Sequence, residues 1–214
     1  MHSSVAPVRS ALRAAIGFSV HSGWAALVGL ALGKNQPQVL VRTRAELVKT
    51  FTYKFRQPFH TAEIMQLDEA RVFISDMEDE AERLAQAAIQ SIQLELQKKG
   101  YELAQYALIL ASAKPLPSLD RILASHALIH TADGELFRDA LAHAAEKCNL
   151  ARFTVKQREL VDTACKTLRL TPTTLAARLA ALGKPIGPPW AQDEKFASLA
   201  AWLALTTKVQ SKTD

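Results

Sequence analysis

The sequence predicts an α/β fold: a mixed five-stranded sheet in the order β-β-β-α-β-α-β-α, flanked by helices, one of them long. Three observations predict it. Two apolar runs separated by Ser22-Gly23, and a third behind the turn GKNQP (Gly33 to Pro37), make an antiparallel meander. The continuous apolar run YALILASA (Tyr106 to Ala113) has the composition of a strand buried on both faces. Helical patterns then alternate with strands, as parallel crossovers packed on a sheet require.

Each element has its own signal. Ala15 to His21 and Trp24 to Leu32 are the first two strands. In QVLVRTRAELV, Val39, Val41 and Thr43 alternate with Leu40, Arg42 and Arg44, a period of two that makes the third. In FTYKFRQPFH the aromatics at 51, 53 and 55 also alternate, so the stretch extends the sheet edge or forms a loop. A long helix over 61–98 follows, because Leu67, Ala70, Ile74, Met77, Ala81, Leu84, Ala88 and Ile92 recur at spacings of three and four. Thr61 is its expected cap, and Gly100 behind Lys98-Lys99 its stop. Its length suits pairing with a second copy of the chain.

After KPLP, Ser118 is placed to cap a helix running to about Cys148, with Gly134 inside it. ARFTVKQ (Ala151 to Gln157) reads as a short strand. Helices are expected at Arg158–Leu168 and Thr173–Leu182, with Pro172 in the first turn of the latter. A last helix runs from about Ala191 to Lys208 behind GKPIGPP. The domain expectation is a leader at 1–12, one domain over 13–208 and a tail at 209–214.

Composition narrows the function classes. The 214 residues are 49% hydrophobic and 22% charged, enough for a sizeable core. No run reaches the roughly 18 apolar residues of a membrane span. No apolar segment precedes a cleavage site, so secretion is not expected. Cys148 and Cys165 form no CxxC pair and are expected as buried thiols in a reducing cytoplasm. A net charge of +5 and an isoelectric point near 9.3 favour acidic partners such as nucleic acid, although Lys and Arg are dispersed. No Walker loop, GxGxxG or GxSxG occurs.

In open sheets of this kind, sites lie beyond the carboxyl ends of parallel strands. That places the candidate site at Ser19–Ser22, at the end of the central strand from Ala111 to Lys114, and at the start of the last helix, Gln192–Lys195. Gly17-Phe18-Ser19-Val20-His21-Ser22, Ala132-Asp133-Gly134, Phe153-Thr154-Val155-Lys156-Gln157 and Leu199-Ala200-Ala201, in this element order, resemble the ribonuclease-H-like superfamily, and within it the RuvC-type Holliday-junction resolvases. The resemblance covers about residues 16–205 at the level of fold and is patchy in sequence.

It implies a nuclease site in which several Asp/Glu side chains hold two Mg²⁺ ions. Carried across, the first acid falls on Ser19 and the second near Ala111 or Ser112. The last helix keeps Asp193 and Glu194, and the position one turn on is Ala197 or Ser198. Neutral side chains cannot supply the missing charge, so nuclease chemistry of this kind is not expected. No cofactor is expected, beyond Mg²⁺ if part of such a site survives.

Other residues are candidates for binding. His21, Ser22, Lys114, Lys156 and Arg158 would gather hydroxyls, an imidazole and cations at one sheet edge, suited to a phosphate backbone. His126 and His130 stand four apart on a helix, a metal-ligand spacing, but HALIH lacks the glutamate of HExxH. A third ligand would come from His21, His60, Glu135 or His143, and packing on a helix flank is the simpler role. The reading that results is a non-catalytic domain binding nucleic acid or a protein partner through its old active-site face. The alternatives are an assembly protein that dimerises through helix 61–98, and an enzyme of diverged metal-dependent chemistry using His21, Asp193 or Glu194.

Overall fold

The computed structural model describes residues 11–34, 36–111 and 115–207. Strands β1 (Leu12–His21), β2 (Trp24–Gly33) and β3 (Gln36–Glu46) form the meander, and β4 (Tyr101–Leu110) and β5 (Ala151–Lys156) complete the sheet. The strand order is β3-β2-β1-β4-β5. The β1–β2 and β2–β3 pairs are antiparallel, whereas β4 runs parallel to β1 and β5 parallel to β4. The carboxyl ends of β1, β4 and β5 therefore share one edge.

The two faces of the sheet follow from the period of two. Ala14, Ile16 and Phe18 of β1 and Tyr106 and Leu108 of β4 face one layer. That layer holds α1 (Tyr53–Arg56), α2 (Pro58–Ala62), α3 (Leu67–Lys98), α4 (Leu119–Leu123) and α5 (His126–Lys147). Ala15, Val28, Ala107 and Ile109 face the other, made of α6 (Leu160–Leu168), α7 (Pro172–Gly183) and α8 (Gln192–Thr206). Each face buries its own apolar cluster.

The 32 residues of α3 span about 48 Å at 1.5 Å per residue. Its apolar stripe, from Ala70 to Leu96, is buried within the chain along its whole length. The exposed large apolar residues of this helix are Leu67, Val72 and Leu94. No helix among the described residues is long and apolar enough to cross a membrane.

Several local expectations are corrected. FTYKFRQPFH is neither a sheet extension nor a loop but the short helices α1 and α2. Its alternation by two hid a second spacing: Phe55, Phe59 and Ala62, at i, i+4 and i+7, turn inward together. Thr61 does not cap α3. It lies inside α2, where its hydroxyl donates to the Lys54 and Gln57 carbonyls at 3.0 and 3.1 Å. The long helix begins at Leu67 behind Gln66, with Asp68 and Glu69 in its first turn, where the helix dipole favours them.

The helix expected from Ser118 to Cys148 breaks at Ala124-Ser125 into α4 and α5. Strand β4 starts five residues earlier than the apolar run, because Glu102 and Gln105 mask its first half. Gly100, at φ +80°, makes the turn into it, a conformation open to glycine at little cost. Thr171 does cap α7 by accepting from the Thr174 N–H, with Pro172 in the first turn. Residues 1–10 and 208–214, which contain most of the expected leader and the whole tail, lie outside the described residues.

Candidate ligand site at the carboxyl ends of the strands

Gly17 fixes how the site is built. A Cβ at this position would stand 1.9 Å from the Ala197 carbonyl oxygen, so α8 rests directly on the β1 backbone. Two residues on, Ser19 faces the same side and meets the first turn of α8. Its side chain is only 8% exposed, and its hydroxyl donates to Asp193 Oδ1 at 2.9 Å. His21 Nε2 lies 2.8 Å from that same oxygen. Together with Ile109, Arg138 and Gln157 these residues line a cleft of about 330 Å³. Asp193 sits where the helix dipole stabilises a carboxylate.

This is not the arrangement of a serine hydrolase. There the imidazole stands between the hydroxyl and the acid, whereas here the hydroxyl and the imidazole both address Asp193. The one hydroxyl proton of Ser19 is given to the carboxylate and not to a base. Nor does the donor set fit a pair of Mg²⁺ ions, which demand several oxygen ligands and a matching negative charge. Asp193 is the only carboxylate among the lining residues described. Glu194 turns away and accepts the Ala191 N–H at 2.8 Å, closing the start of its own helix.

The other predicted positions are distributed as follows. Ala111 is exposed immediately beyond β4, while Ser112 and Lys114 lie outside the described residues. Ala197 and Ser198 are fully buried, and the Ser198 hydroxyl donates back to the Glu194 carbonyl. Lys156 and Arg158 both reach Glu159, at 3.4 Å each, and neither lines the cleft. The Ser22 carbonyl accepts from Arg56 Nε at 3.3 Å. His126 and His130 are placed far along the chain from these groups, at the start of α5, beside His60 of α2.

Among the described residues, the cation lining the cleft is Arg138 of α5, paired with Glu135 at 3.1 Å. Its guanidinium folds over Gly134, where a Cβ would meet Nη1 at 3.0 Å. At a spacing of i, i+3 on one helix, Glu135 and Arg138 have the sequence signature of an ordinary surface pair. Nothing local announces the cleft, since α5 is brought to it by the β4–α5–β5 crossover.

A shelf of rings and cations adjoins the cleft at the β1–β2 turn. His21 stacks on Trp24 with ring centroids 4.3 Å apart and planes within 6°. The Arg44 guanidinium carbon lies 3.9 Å from the Trp24 ring centre and 5.1 Å from that of Phe51. Arg56 lies 4.5 Å from the same Phe51 ring. Beside them Tyr53 is 63% exposed and Phe51 46%. Glu46 is the acid paired with Arg44, at 2.6 Å and half exposed, a contact that water screens. The register carries a signal for this shelf: Ala26 pairs with Arg44 and Trp24 with Glu46, so Arg44 is a diagonal neighbour of Trp24.

No protein-family model matches the sequence, and no curated protein matches it. Among solved structures, the chain is similar to Thermus thermophilus RuvC in complex with a Holliday-junction substrate. The two share 10% identity over 91% of this chain and 93% of that one, with a TM-score of 0.51. A second structure of Thermus thermophilus RuvC aligns at 10% identity over 90% and 93%, with a TM-score of 0.50. The chain has a RuvC-like ribonuclease-H fold.

Proposed function

We propose that the chain is a non-catalytic RuvC-like domain that binds nucleic acid along the sheet edge formed by the cleft and the adjoining shelf. The observation that carries this reading is the Trp24 ring held between His21 and Arg44, with Phe51 shared by Arg44 and Arg56. The exposed Phe51 and Tyr53 rings offer sequence-tolerant stacking to unpaired bases, while Trp24, covered by His21 and Arg44, holds Arg44 in place, and the guanidiniums of Arg44 and Arg56 offer forked contacts to phosphate. Arg138 and the Ser19–His21–Asp193 cluster extend the surface into the cleft. A single lining carboxylate supports binding without two-metal cleavage. The fold neighbour bound to a Holliday junction makes branched DNA a natural probe.

The test is fluorescence anisotropy with a labelled single strand and a labelled four-way junction across 50–200 mM salt. Affinity should fall steeply with salt. The double variant Arg44→Ala/Arg56→Ala should bind more weakly and flatten the log–log slope by about 1.5, two phosphate contacts' worth. No binding at 50 mM salt, or the same slope in the variant, would refute the reading. Incubation with Mg²⁺ or Mn²⁺ should leave the junction intact. Cleavage that disappears in Asp193→Ala would establish a diverged enzyme instead.

A further inference from the structure

The structure brings three imidazoles together away from the cleft. His60 lies in α2, and His126 and His130 lie one turn apart at the start of α5. One ring nitrogen from each falls within 4.8 Å of the others. The Nε2 atoms of His126 and His130 are 3.1 Å apart, and the His60 ring centroid is 5.3 and 4.4 Å from theirs. In a tetrahedral site with metal–nitrogen bonds of about 2.0–2.1 Å, ligand nitrogens stand about 3.3 Å from one another. The α5 pair already has that spacing, and small side-chain rotations bring in the third.

The surroundings of His60 separate a metal site from a chance meeting of rings. Its Nδ1 lies 2.5 Å from Asp133 Oδ2, and the Asp133 side chain is 4% exposed. The other carboxylate oxygen accepts the Phe59 N–H at 2.7 Å. A carboxylate can only accept, so Nδ1 carries the proton and Nε2 keeps its lone pair for a ligand. A carboxylate behind a histidine, fixing tautomer and ring orientation, is the usual outer partner of a metal-bound imidazole. A hydrogen bond between His126 and His130 would satisfy those two rings, but it would not account for a third imidazole held towards them by a buried acid.

We propose that His60, His126 and His130 bind one divalent transition-metal ion, with zinc preferred over magnesium because all three donors are nitrogen. Three protein ligands leave a fourth position for water or an exogenous donor. The ion would join α2 to α5 and so brace the segment that carries Phe51, Tyr53 and Arg56. The site is independent of the nucleic-acid reading and stands or falls alone.

The test uses the full chain without a polyhistidine tag, stripped with a chelator and titrated with Zn²⁺ against a chromogenic competitor. One equivalent should bind, the thermal midpoint should rise, and Co²⁺ should give visible d–d absorption of a four-coordinate site. His126→Ala and His130→Ala concern exposed side chains that the fold tolerates, and each should weaken binding at least tenfold. Asp133→Asn should weaken it about 10–100-fold while keeping the stoichiometry. His143→Ala, further along α5 and facing Glu82 at 3.6 Å, should change nothing. Absence of stoichiometric binding, or an equivalent retained by His126→Ala/His130→Ala, would overturn the proposal.

Discussion

Tyr106 has a fully buried ring, but its phenol is tied to two charged partners. The hydroxyl donates to Glu146 Oε1 at 3.0 Å and accepts from Arg152 Nε at 2.6 Å, while Arg152 also pairs with Glu146 at 2.5 Å. Burial pushes the phenol up from its ordinary 10 to about 12, opposed by Arg152 and assisted by Glu146. The folded state thus prefers the neutral phenol. Its contribution to stability is whole below pH 10 and is lost as pH rises through about 12. Urea midpoints at neutral pH and at steps between pH 10 and 12 should decline more steeply for the native chain than for Tyr106→Phe. At neutral pH the variant should lose about 1–2 kcal/mol, two net hydrogen bonds. Parallel pH profiles would show that the phenol does not carry the effect. At this scale the sequence is informative when partners are close in register. His126, His130 and Asp133 stand at i, i+4 and i+7, so their shared helix face is legible. That Asp133 meets Phe59 and His60, 74 and 73 positions away, is not. Ser19 was identifiable as a strand-end hydroxyl, but its bond to Asp193 spans 174 positions and needed the fold.

Elements were legible where one periodicity dominated. The strands of the meander and the stripe of α3 each repeat at one spacing. The meander formed as expected, whereas the buried stripe of α3 keeps Ala70, Ile74, Met77, Ala81 and Ile92, leaves Leu67 exposed and passes through Ala85 and Ile89 rather than Leu84 and Ala88. FTYKFRQPFH carries two spacings at once, and burial of Phe59 and Ala62 decides for the helical one. The contact between β1 and α8 leaves a trace of a different kind, a glycine amid large apolar residues. Ile16 and Phe18 fill the opposite face, while Gly17 leaves room for the Ala197 carbonyl. Gly17→Ala must push α8 off the strand, because the obstruction is backbone and cannot rotate away. Overpacking of this kind costs about 1–3 kcal/mol, and Gly17→Val should cost more. Chemical denaturation should show both losses. Because Ser19 and Asp193 belong to the same β1–α8 contact, the proposed nucleic-acid binding should weaken in parallel. A stable Gly17→Ala protein with an unchanged urea midpoint would mean that α8 does not sit this close.

Across the whole molecule the two layers differ in how their burial is distributed along the chain. The α3–α5 layer is assembled from segments around the first three strands and β4. The opposite layer depends on its last element. Eight consecutive residues of α8, Ala197 to Ala204, are buried, so this helix is apolar all round and sits between the sheet and α6–α7. Among the described residues, α8 is the helix packed most extensively on β1, β2 and β4 on that face, and Ala15, Val28, Leu30 and Ala107 are each fully buried there. The second core therefore cannot close until the final described helix is in place. Trp202, 3% exposed, is its largest side chain. Trp202→Ala should cost about 3–5 kcal/mol, a large share of a domain's usual stability. A chain ended after Trp190 should keep helical far-UV circular dichroism from α3 and α5 yet lose a cooperative urea transition, because the exposed sheet face has no partner. If the truncated chain unfolds cooperatively at the native midpoint, the second layer is dispensable and the sheet is stabilised from one face alone.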